Sequence, residues 1–190
     1  MSESSVENRA PEALELVQSF VNTVEVFEDR REEEELTDPE ALRAWLAERG
    51  LMGLSDPVSD ADLTRAIDVR EGLRTLLLAH NGEEADAAKV ARLDRAAGRA
   101  GMHASFASGA PELVPGPAGV DGAIARLLAI VAASSEQGTW ERLKACPRDC
   151  CLWAFYDKSK NHSKRWCSME SCGNVEKARA FRHRQRTASA

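Results

Sequence analysis

Apolar side chains recur every three or four positions along most of the first 138 residues. This is the spacing of one face of an amphipathic α-helix. Leu14, Val17, Val21 and Val24 follow it and predict a helix over residues 12–26. The first part of the chain is therefore predicted to be mostly helical.

Helix start and stop signals divide this region. The Thr-Asp-Pro segment at 37–39 predicts a start, because Thr or Asp caps free N–H groups and Pro fits the first helical turn. The helix that follows is predicted over 41–49, with Gly50 closing it. Ser59 predicts a second capped start, of a helix that continues to about His80.

Residues 102–114 interrupt the helical pattern. Apolar and polar residues alternate loosely over 102–107, a Ser-Gly turn follows, and 112–114 can pair back as a hairpin. We expect no other sheet outside the C-terminal part of the chain, and helices on either side over 86–100 and 119–134. The charged run at 29–35 is predicted to be a solvated helix end or loop.

Charge and cysteine content change sharply near residue 145. Residues 1–145 contain 15 Lys and Arg against 27 Asp and Glu, whereas residues 146–190 contain 10 against 4. The net charge of −6 is therefore the sum of −12 and +6. A hydrophobic fraction of 43% excludes a fully disordered chain. We predict two domains, over 1–138 and 139–190, with the acidic one as a separate module.

The cysteines form two pairs with matching spacing. Four residues separate Cys146 from Cys151 and Cys167 from Cys172, and 15 residues lie between the pairs. This pattern predicts a structural zinc site, in which four thiolates saturate the tetrahedral metal and leave no position open for catalysis. An iron–sulfur cluster and disulfides are the alternatives. Cys150 can replace Cys151 with a three-residue gap, but Cys151 preserves the matching spacing.

The rest of this segment has the pattern of a small finger. A strand is predicted over 152–157, a polar turn over 158–164, and a short returning strand at 165–166. Ser168 caps a helix that continues to about Arg186. The predicted fold class is therefore mainly α with a small β-hairpin (α+β). It combines a helical N-terminal domain with a C-terminal treble-clef-like zinc finger, whose helix N-terminus faces the metal.

Three stretches of this segment resemble a known finger. Residues 155–161 read FYDKSKN, residues 164–169 read KRWCSM, and residues 172–174 read CGN. They resemble the motif "F-x-D-x-S-x-N … R-R-W-C-S-M-x-x-C-G-N-R" of the CGNR-type zinc finger. The chain departs from this motif at Val175, which stands where the motif has the final arginine of C-G-N-R. Arg179, one helical turn further on, is the residue that would replace this arginine in part.

The acidic part resembles the ABATE domain that normally precedes this finger. Residues 20–23 read FVNT, residues 42–50 contain L-x-x-W-L-x-x-x-G, and residues 69–74 read VREGLR, similar to that domain's L-R-E-x-L-R. The resemblance implies a transcriptional regulator linked to stress whose zinc finger binds DNA. It also implies that the metal ligands are Cys146, Cys151, Cys167 and Cys172.

The basic C-terminal segment itself predicts a nucleic-acid partner, because clustered Lys and Arg are the electrostatic footprint of a phosphate binder. The predicted contacts are Lys158, Lys160, Asn161, Lys164, Arg165, Lys177, Arg179, Arg182 and Arg186. The alternative function is a zinc-stabilised protein-interaction adaptor without direct nucleic-acid binding. In that case the basic surface pairs with an acidic protein surface.

The acidic domain is predicted to sense a small-molecule effector or to form a homodimer. Its candidate ligand-binding residues are Asn22, Thr23, Trp45, Arg70 and Arg74. Arg70 and Arg74 lie four apart on one predicted helix, so they can receive an anion together or pair with Asp and Glu.

Two function classes are not expected. The chain has no Gly-rich phosphate loop, nucleophile elbow or His-Glu-x-x-His motif, so we predict that it is not an enzyme. It has neither a signal-like N-terminus nor an apolar run long enough for a membrane span, so we predict a cytoplasmic protein without a membrane partner.

Overall fold

The computed structural model describes residues 8–11, 13–27, 29, 31–114 and 118–188. These residues contain six α-helices, three two-stranded sheets and a short 3-10 helix over Trp140–Arg142. The helices are α1 (Leu14–Val21), α2 (Pro39–Glu48), α3 (Asp60–Ala79), α4 (Ala87–Ala100), α5 (Gly119–Glu136) and α6 (Asn174–Ala188). The strands are β1 (Val24–Val26), β2 (Glu32–Glu34), β3 (His103–Ser105), β4 (Glu112–Val114), β5 (Leu143–Ala145) and β6 (Ala154–Tyr156). The predicted fold class, mainly α with a small β-hairpin, is confirmed, although the described residues form three hairpins instead of one. None of the described helices combines the length and apolar character that crossing a membrane requires.

The predicted helix starts are confirmed by their capping hydrogen bonds. The Asp38 side chain accepts from the backbone N–H of Ala41 at 2.8 Å, and Pro39 is the first residue of α2. Ser59 and Asp62 form a reciprocal capping box at the start of α3. Asp86 caps α4 through its side chain, which accepts from two backbone N–H groups. Local sequence signals therefore define where these three helices begin.

The helical core is built around α3. This helix packs against α1, α2, α4 and α5, and Phe20 of α1 stacks against Trp45 of α2 with ring centroids 5.5 Å apart. Gly72 lets α3 and α4 approach closely, because a Cβ atom there would lie 2.6 Å from the Cβ of Leu93. A larger residue at this position would force the two helices apart.

In the part of the chain that the structure describes, two hairpins lie outside the C-terminal segment, where the sequence predicted one. The predicted pairing of β3 with β4 is confirmed, with His103 opposite Val114. The helix predicted over 12–26 is wrong in its second half, since α1 ends at Val21 and the chain turns into β1. Residue 12, its predicted start, lies outside the described residues. The prediction of a solvated helix end or loop over 29–35 is wrong, since residues 32–34 form β2 and pair with β1.

The C-terminal hairpin has a different partner strand from the one predicted from the sequence. β6 lies within the predicted strand over 152–157, but it pairs with β5 rather than with a returning strand at 165–166. Leu143, Ala145 and Ala154 are fully buried and belong to the same hydrophobic core as the helices. Burial among the helices favours the residues before Cys146 as the partner, because they are more apolar than Arg165 and Trp166.

Side chains in α3 and just beyond the C-terminal ends of α1 and α3 also bind the backbone of this hairpin and its loop, and we call these contacts the seam. The Asn22 amide both donates to and accepts from the backbone of Ala154, at 2.9 and 2.7 Å. At the end of α3, His80 Nδ1 lies 2.8 Å from the carbonyl oxygen of Leu143, and Asn81 donates to that of Ala145 at 2.9 Å. The domain boundary at residue 138 stays a prediction, but the hairpin beyond it packs into the helical core.

Arg74 is the charged member of the seam. It is 2% exposed, and its guanidinium donates to the carbonyl oxygens of Leu152 at 2.8 Å and Val21 at 2.5 Å. Glu71 pairs with it at 3.2 Å. Burial alone would raise the pKa of Glu71, but Arg74 and Arg70 lower it, so the carboxylate stays charged.

Replacing Arg74 should destabilise the entire described fold. We expect Arg74→Met to lower the free energy of unfolding by about 3 to 5 kcal/mol, because it removes one partner of a buried ion pair and leaves two carbonyl oxygens without their donor. Urea denaturation of the zinc-loaded chain measures this. The matched control is Arg43→Met, whose ion pair with Glu40 is at the surface. An equal loss of stability in both variants would contradict the role of the seam.

Candidate metal centre and basic surface

The first cysteine pair lies in the loop that joins β5 to β6. Cys146 directly follows β5, and its N–H donates to the carbonyl oxygen of Trp153 at 2.9 Å, which continues the ladder by one step. The carbonyl oxygen of Arg148 accepts from the N–H groups of Cys151 and Leu152, at 3.0 and 3.2 Å. Leu152 then takes a left-handed conformation, with φ of 55°. This tight turn points both cysteines toward the same place.

Asp157 shapes the loop that brings the chain back to the second pair. Its side chain is fully buried, accepts from Lys144 Nζ at 2.8 Å and the Lys164 N–H at 2.9 Å, and also accepts from Ser159. Burial would raise the pKa of this carboxyl, but the hydrogen bonds from Lys144 and Ser159 hold it below its usual value. A charged Asp157 therefore fixes the path of residues 157–164.

The second pair frames the turn that begins α6. Cys172 lies in a wide turn over Met169–Gly173, which Ser168 caps by accepting from the N–H of Ser171 at 3.4 Å. Gly173 packs closely here, because a Cβ atom would lie 2.7 Å from the sulfur of Met169 and 3.3 Å from the Trp166 ring. This turn continues into α6 without a break, since the Asn174 N–H at the start of the helix donates back to the carbonyl oxygen of Met169.

The structure brings together the four cysteines that the spacing singled out. The Sγ atoms of Cys146, Cys151, Cys167 and Cys172 all lie within 4.8 Å of one another. Cys167 Sγ is 3.5 Å from that of Cys151 and 3.6 Å from that of Cys172. Thiolates bound to zinc at about 2.3 Å form a tetrahedron with edges of about 3.8 Å, so this arrangement fits the metal. Cys150 is half-buried and lies outside the group of four.

The proximity of the thiols separates their pKa values. Hydrogen bonds from the neighbouring cysteines lower the pKa of Cys172 and of Cys146, whereas hydrogen bonding with Cys146 raises the pKa of Cys151 and of Cys167. Four thiolates this close repel one another without a cation. A divalent metal removes the conflict and lets all four be ionised.

The cluster has a small apolar shell. Phe155 is fully buried beside the cysteines, and Trp153 and Trp166 are partly buried against them. Their packing against the cysteines indicates that these three rings form the core of the finger. A segment of this size needs both a metal and such packing for stability.

The predicted nucleic-acid contacts fall into two groups. Six are exposed and have no acidic partner among the described residues: Lys158, Lys160, Asn161, Lys177, Arg182 and Arg186. The other three have partners. Lys164 bonds to Asn8, Arg165 pairs with Glu83 at 2.8 Å, and Arg179 pairs with Glu176 at 3.0 Å.

The predicted effector residues mostly have partners inside the protein. Glu34 binds Arg70 through two hydrogen bonds of 2.7 and 2.8 Å, and Thr23 accepts a third from Arg70 at 3.1 Å. Of the two roles considered for Arg70 and Arg74, the structure shows ion pairs, and these are buried rather than at the surface. Asn22 and Trp45 line a cleft of about 230 Å³ together with Trp153. An effector site at these residues stays a prediction.

Sequence reasoning missed several residues that hold the centre in place. Lys144 and Asp157 form a buried ion pair, and the Asn8 amide donates to the carbonyl oxygen of Cys167 at 2.9 Å. Asp157 belongs to the quoted finger motif, which was a usable signal. Asn8 and Lys144 carried no signal, because their roles depend on contacts with residues far along the chain.

Replacing a clustered cysteine should abolish stoichiometric metal binding. We expect Cys172→Ser to lose tight zinc binding and to unfold at a lower urea concentration, because a hydroxyl does not replace a thiolate in a four-thiolate site. Elemental analysis of the purified chain gives the zinc content. Cys150→Ser is the matched control and should keep one zinc per chain. Equal zinc content in both variants would contradict the four-cysteine centre.

Comparison with known protein families gives two matches. Residues 142–185 match the family described as "CGNR zinc finger", and residues 14–135 match ABATE, described as "Putative stress-induced transcription regulator". No curated protein matches the chain. The finger match and the four clustered cysteines support zinc as the metal. Since the ABATE match spans more than half of the chain, the protein belongs to the ABATE family and carries a CGNR zinc finger in its C-terminal part.

Proposed function

We propose that this protein is a transcription regulator that binds DNA through its C-terminal finger. Zinc bound by Cys146, Cys151, Cys167 and Cys172 holds the finger in its folded form. The family description supports the regulatory role. The exposed basic surface of α6 is the observation that carries the nucleic-acid part of the proposal.

The charge of α6 favours a polyanionic partner. The helix carries five Lys and Arg against one Glu. Its described side chains from 177 to 186 are all exposed, so these cations do not serve the protein core. An isolated surface helix with so much like charge repels itself, and phosphate groups relieve that repulsion.

The shape of α6 suits a DNA groove. Its 15 residues span about 22 Å, and the major groove, about 12 Å wide, admits one α-helix. At helical spacing, Arg179, Arg182 and Arg186 share one face, whereas Lys177 and Arg184 lie on the opposite one. A helix lying in the groove would therefore direct cations to the phosphates of both walls.

The adaptor function remains the second candidate, because α6 also exposes an apolar ring. Phe181 is 55% exposed and Met169, in the preceding turn, is 44% exposed. Exposed apolar side chains among cations are also typical of a surface that binds an acidic protein. The salt dependence of DNA binding separates the two functions.

The helical part of the chain is proposed to sense an effector or to mediate dimerisation. The cleft lined by Asn22, Trp45 and Trp153 supports sensing, since it combines side chains of the helical part with one of the finger. A ligand there would contact both parts at once. Quenching of tryptophan fluorescence reports ligand binding, and sedimentation equilibrium reports dimerisation.

Neutralising α6 should weaken DNA binding in a salt-dependent way. We expect Arg182→Gln/Arg186→Gln to lower the affinity for a duplex of mixed sequence. The slope of log affinity against log salt should fall by about 0.9 for each phosphate that the variant no longer neutralises. Fluorescence anisotropy over a salt series starting near 50 mM measures both quantities.

The matched control neutralises an equivalent pair on another helix. Arg95→Gln/Arg99→Gln removes two exposed arginines, also four residues apart, from α4. It should leave the affinity and the slope close to those of the unmodified chain. Absence of DNA affinity near 50 mM salt in the zinc-loaded protein would contradict the proposal and favour the adaptor.

A further inference from the structure

Arg148 lies inside the first cysteine loop and is held there by the backbone. Its carbonyl oxygen closes the turn by accepting from Cys151 and Leu152. Its side chain is buried, with 8% exposure, although arginine is normally a surface residue. A buried guanidinium is costly unless anions and hydrogen-bond acceptors compensate for its desolvation.

The guanidinium of Arg148 lies between the cysteine cluster and α6. Its Nη1 donates to Cys172 Sγ at 3.6 Å, and its Nε is 3.5 Å from a carboxylate oxygen of Glu176. Glu176 is in the first turn of α6. A single side chain from the first cysteine loop therefore contacts both a sulfur atom of the second pair and the start of the basic helix.

The sulfur cluster requires a nearby cation. Zinc with four thiolates has a formal charge of about −2, which is destabilising in a buried site without compensation. Hydrogen bonds to the ligand atoms from residues around a metal site tune its affinity. Val175 occupies the place of the arginine in the quoted motif. Arg179, one helical turn further on, is exposed and pairs with Glu176.

We propose that Arg148 is a positioning residue of the zinc centre: it stabilises the thiolates through Cys172 and orients α6 through Glu176. This proposal rests on the proposed function, in which the four cysteines hold zinc. The contact of Arg148 with Glu176 also helps to set the orientation of α6, and so of its cations, relative to the metal site. Removal of the Arg148 guanidinium therefore weakens both metal binding and the attachment of the helix.

The first test is the zinc affinity of full-length variants, measured by competition with a chromophoric chelator near neutral pH. Arg148→Met keeps most of the side-chain volume and removes the charge, and we expect its zinc dissociation constant to rise about 10- to 100-fold. Arg148→Lys keeps a charge without the planar fork, so its affinity should fall less. Arg179→Met, the matched control, removes the exposed partner of Glu176 and should bind zinc as the unmodified chain does.

The second test is amide hydrogen exchange of the zinc-saturated proteins. Arg148→Met and Glu176→Gln should both speed exchange in the first turns of α6, whereas only Arg148→Met should weaken zinc binding. Unchanged zinc affinity in Arg148→Met would overturn the proposal. An equal fall in affinity in Arg148→Met and Arg148→Lys would overturn the charge argument. If the Met variant does not fold, unchanged zinc affinity in Arg148→Gln overturns the proposal instead.

These outcomes are distinguishable from failure of the proposed function. If the unmodified chain lacks stoichiometric zinc, the metal centre itself is wrong. If it binds zinc but not DNA, the Arg148 proposal stands and only the nucleic-acid partner is wrong.

Discussion

The rest of the structure depends on how the helices satisfy the backbone of one short hairpin. Strands β5 and β6 have three residues each, and a hairpin of that size is not stable alone in water. Its inward side chains lie in the helical core, and its outer backbone groups are paired by Asn22, Arg74 and Asn81. Each of these partners is polar and at least half-buried, so an unmade contact would leave a buried group without a hydrogen bond. The seam therefore fixes the hairpin relative to α1 and α3.

The position of the metal centre is set by that hairpin. Cys146 follows β5 directly and Cys151 ends the turn before β6, so the first pair is placed by the strands. The second pair is placed by the loop around Asp157, whose partner Lys144 is in β5. Cys172 in turn lies in the turn that leads into α6. Helical core, hairpin, metal and basic helix thus form one chain of contacts, in which zinc joins the two halves of the finger and Arg148 links the metal to the helix.

Local signals predicted much of this fold, and the failures share one physical cause. The caps at Asp38 and Ser59 are interactions within four residues, so the sequence alone indicates them. The cysteine spacing predicted the four sulfur atoms that converge, because zinc chemistry restricts the pattern. The partner of β6 and the turn after Val21 depend on contacts with distant residues, which periodicity does not report. The spacing of Arg70 and Arg74 is equally compatible with an anion site and with ion pairs. Their pairing with Glu34 and Glu71 is visible only in the folded structure.

The most direct test of this account is hydrogen exchange on the full chain with zinc bound and after zinc removal by a chelator under reducing conditions. Metal-binding energy stabilises whatever folds together with the site. If the seam joins the finger to the helices, zinc removal will speed amide exchange in α1 and α3 as well as in residues 143–188. Faster exchange confined to residues 146–188, with α1 and α3 unchanged, would show that the finger folds apart from the helices and would contradict the account.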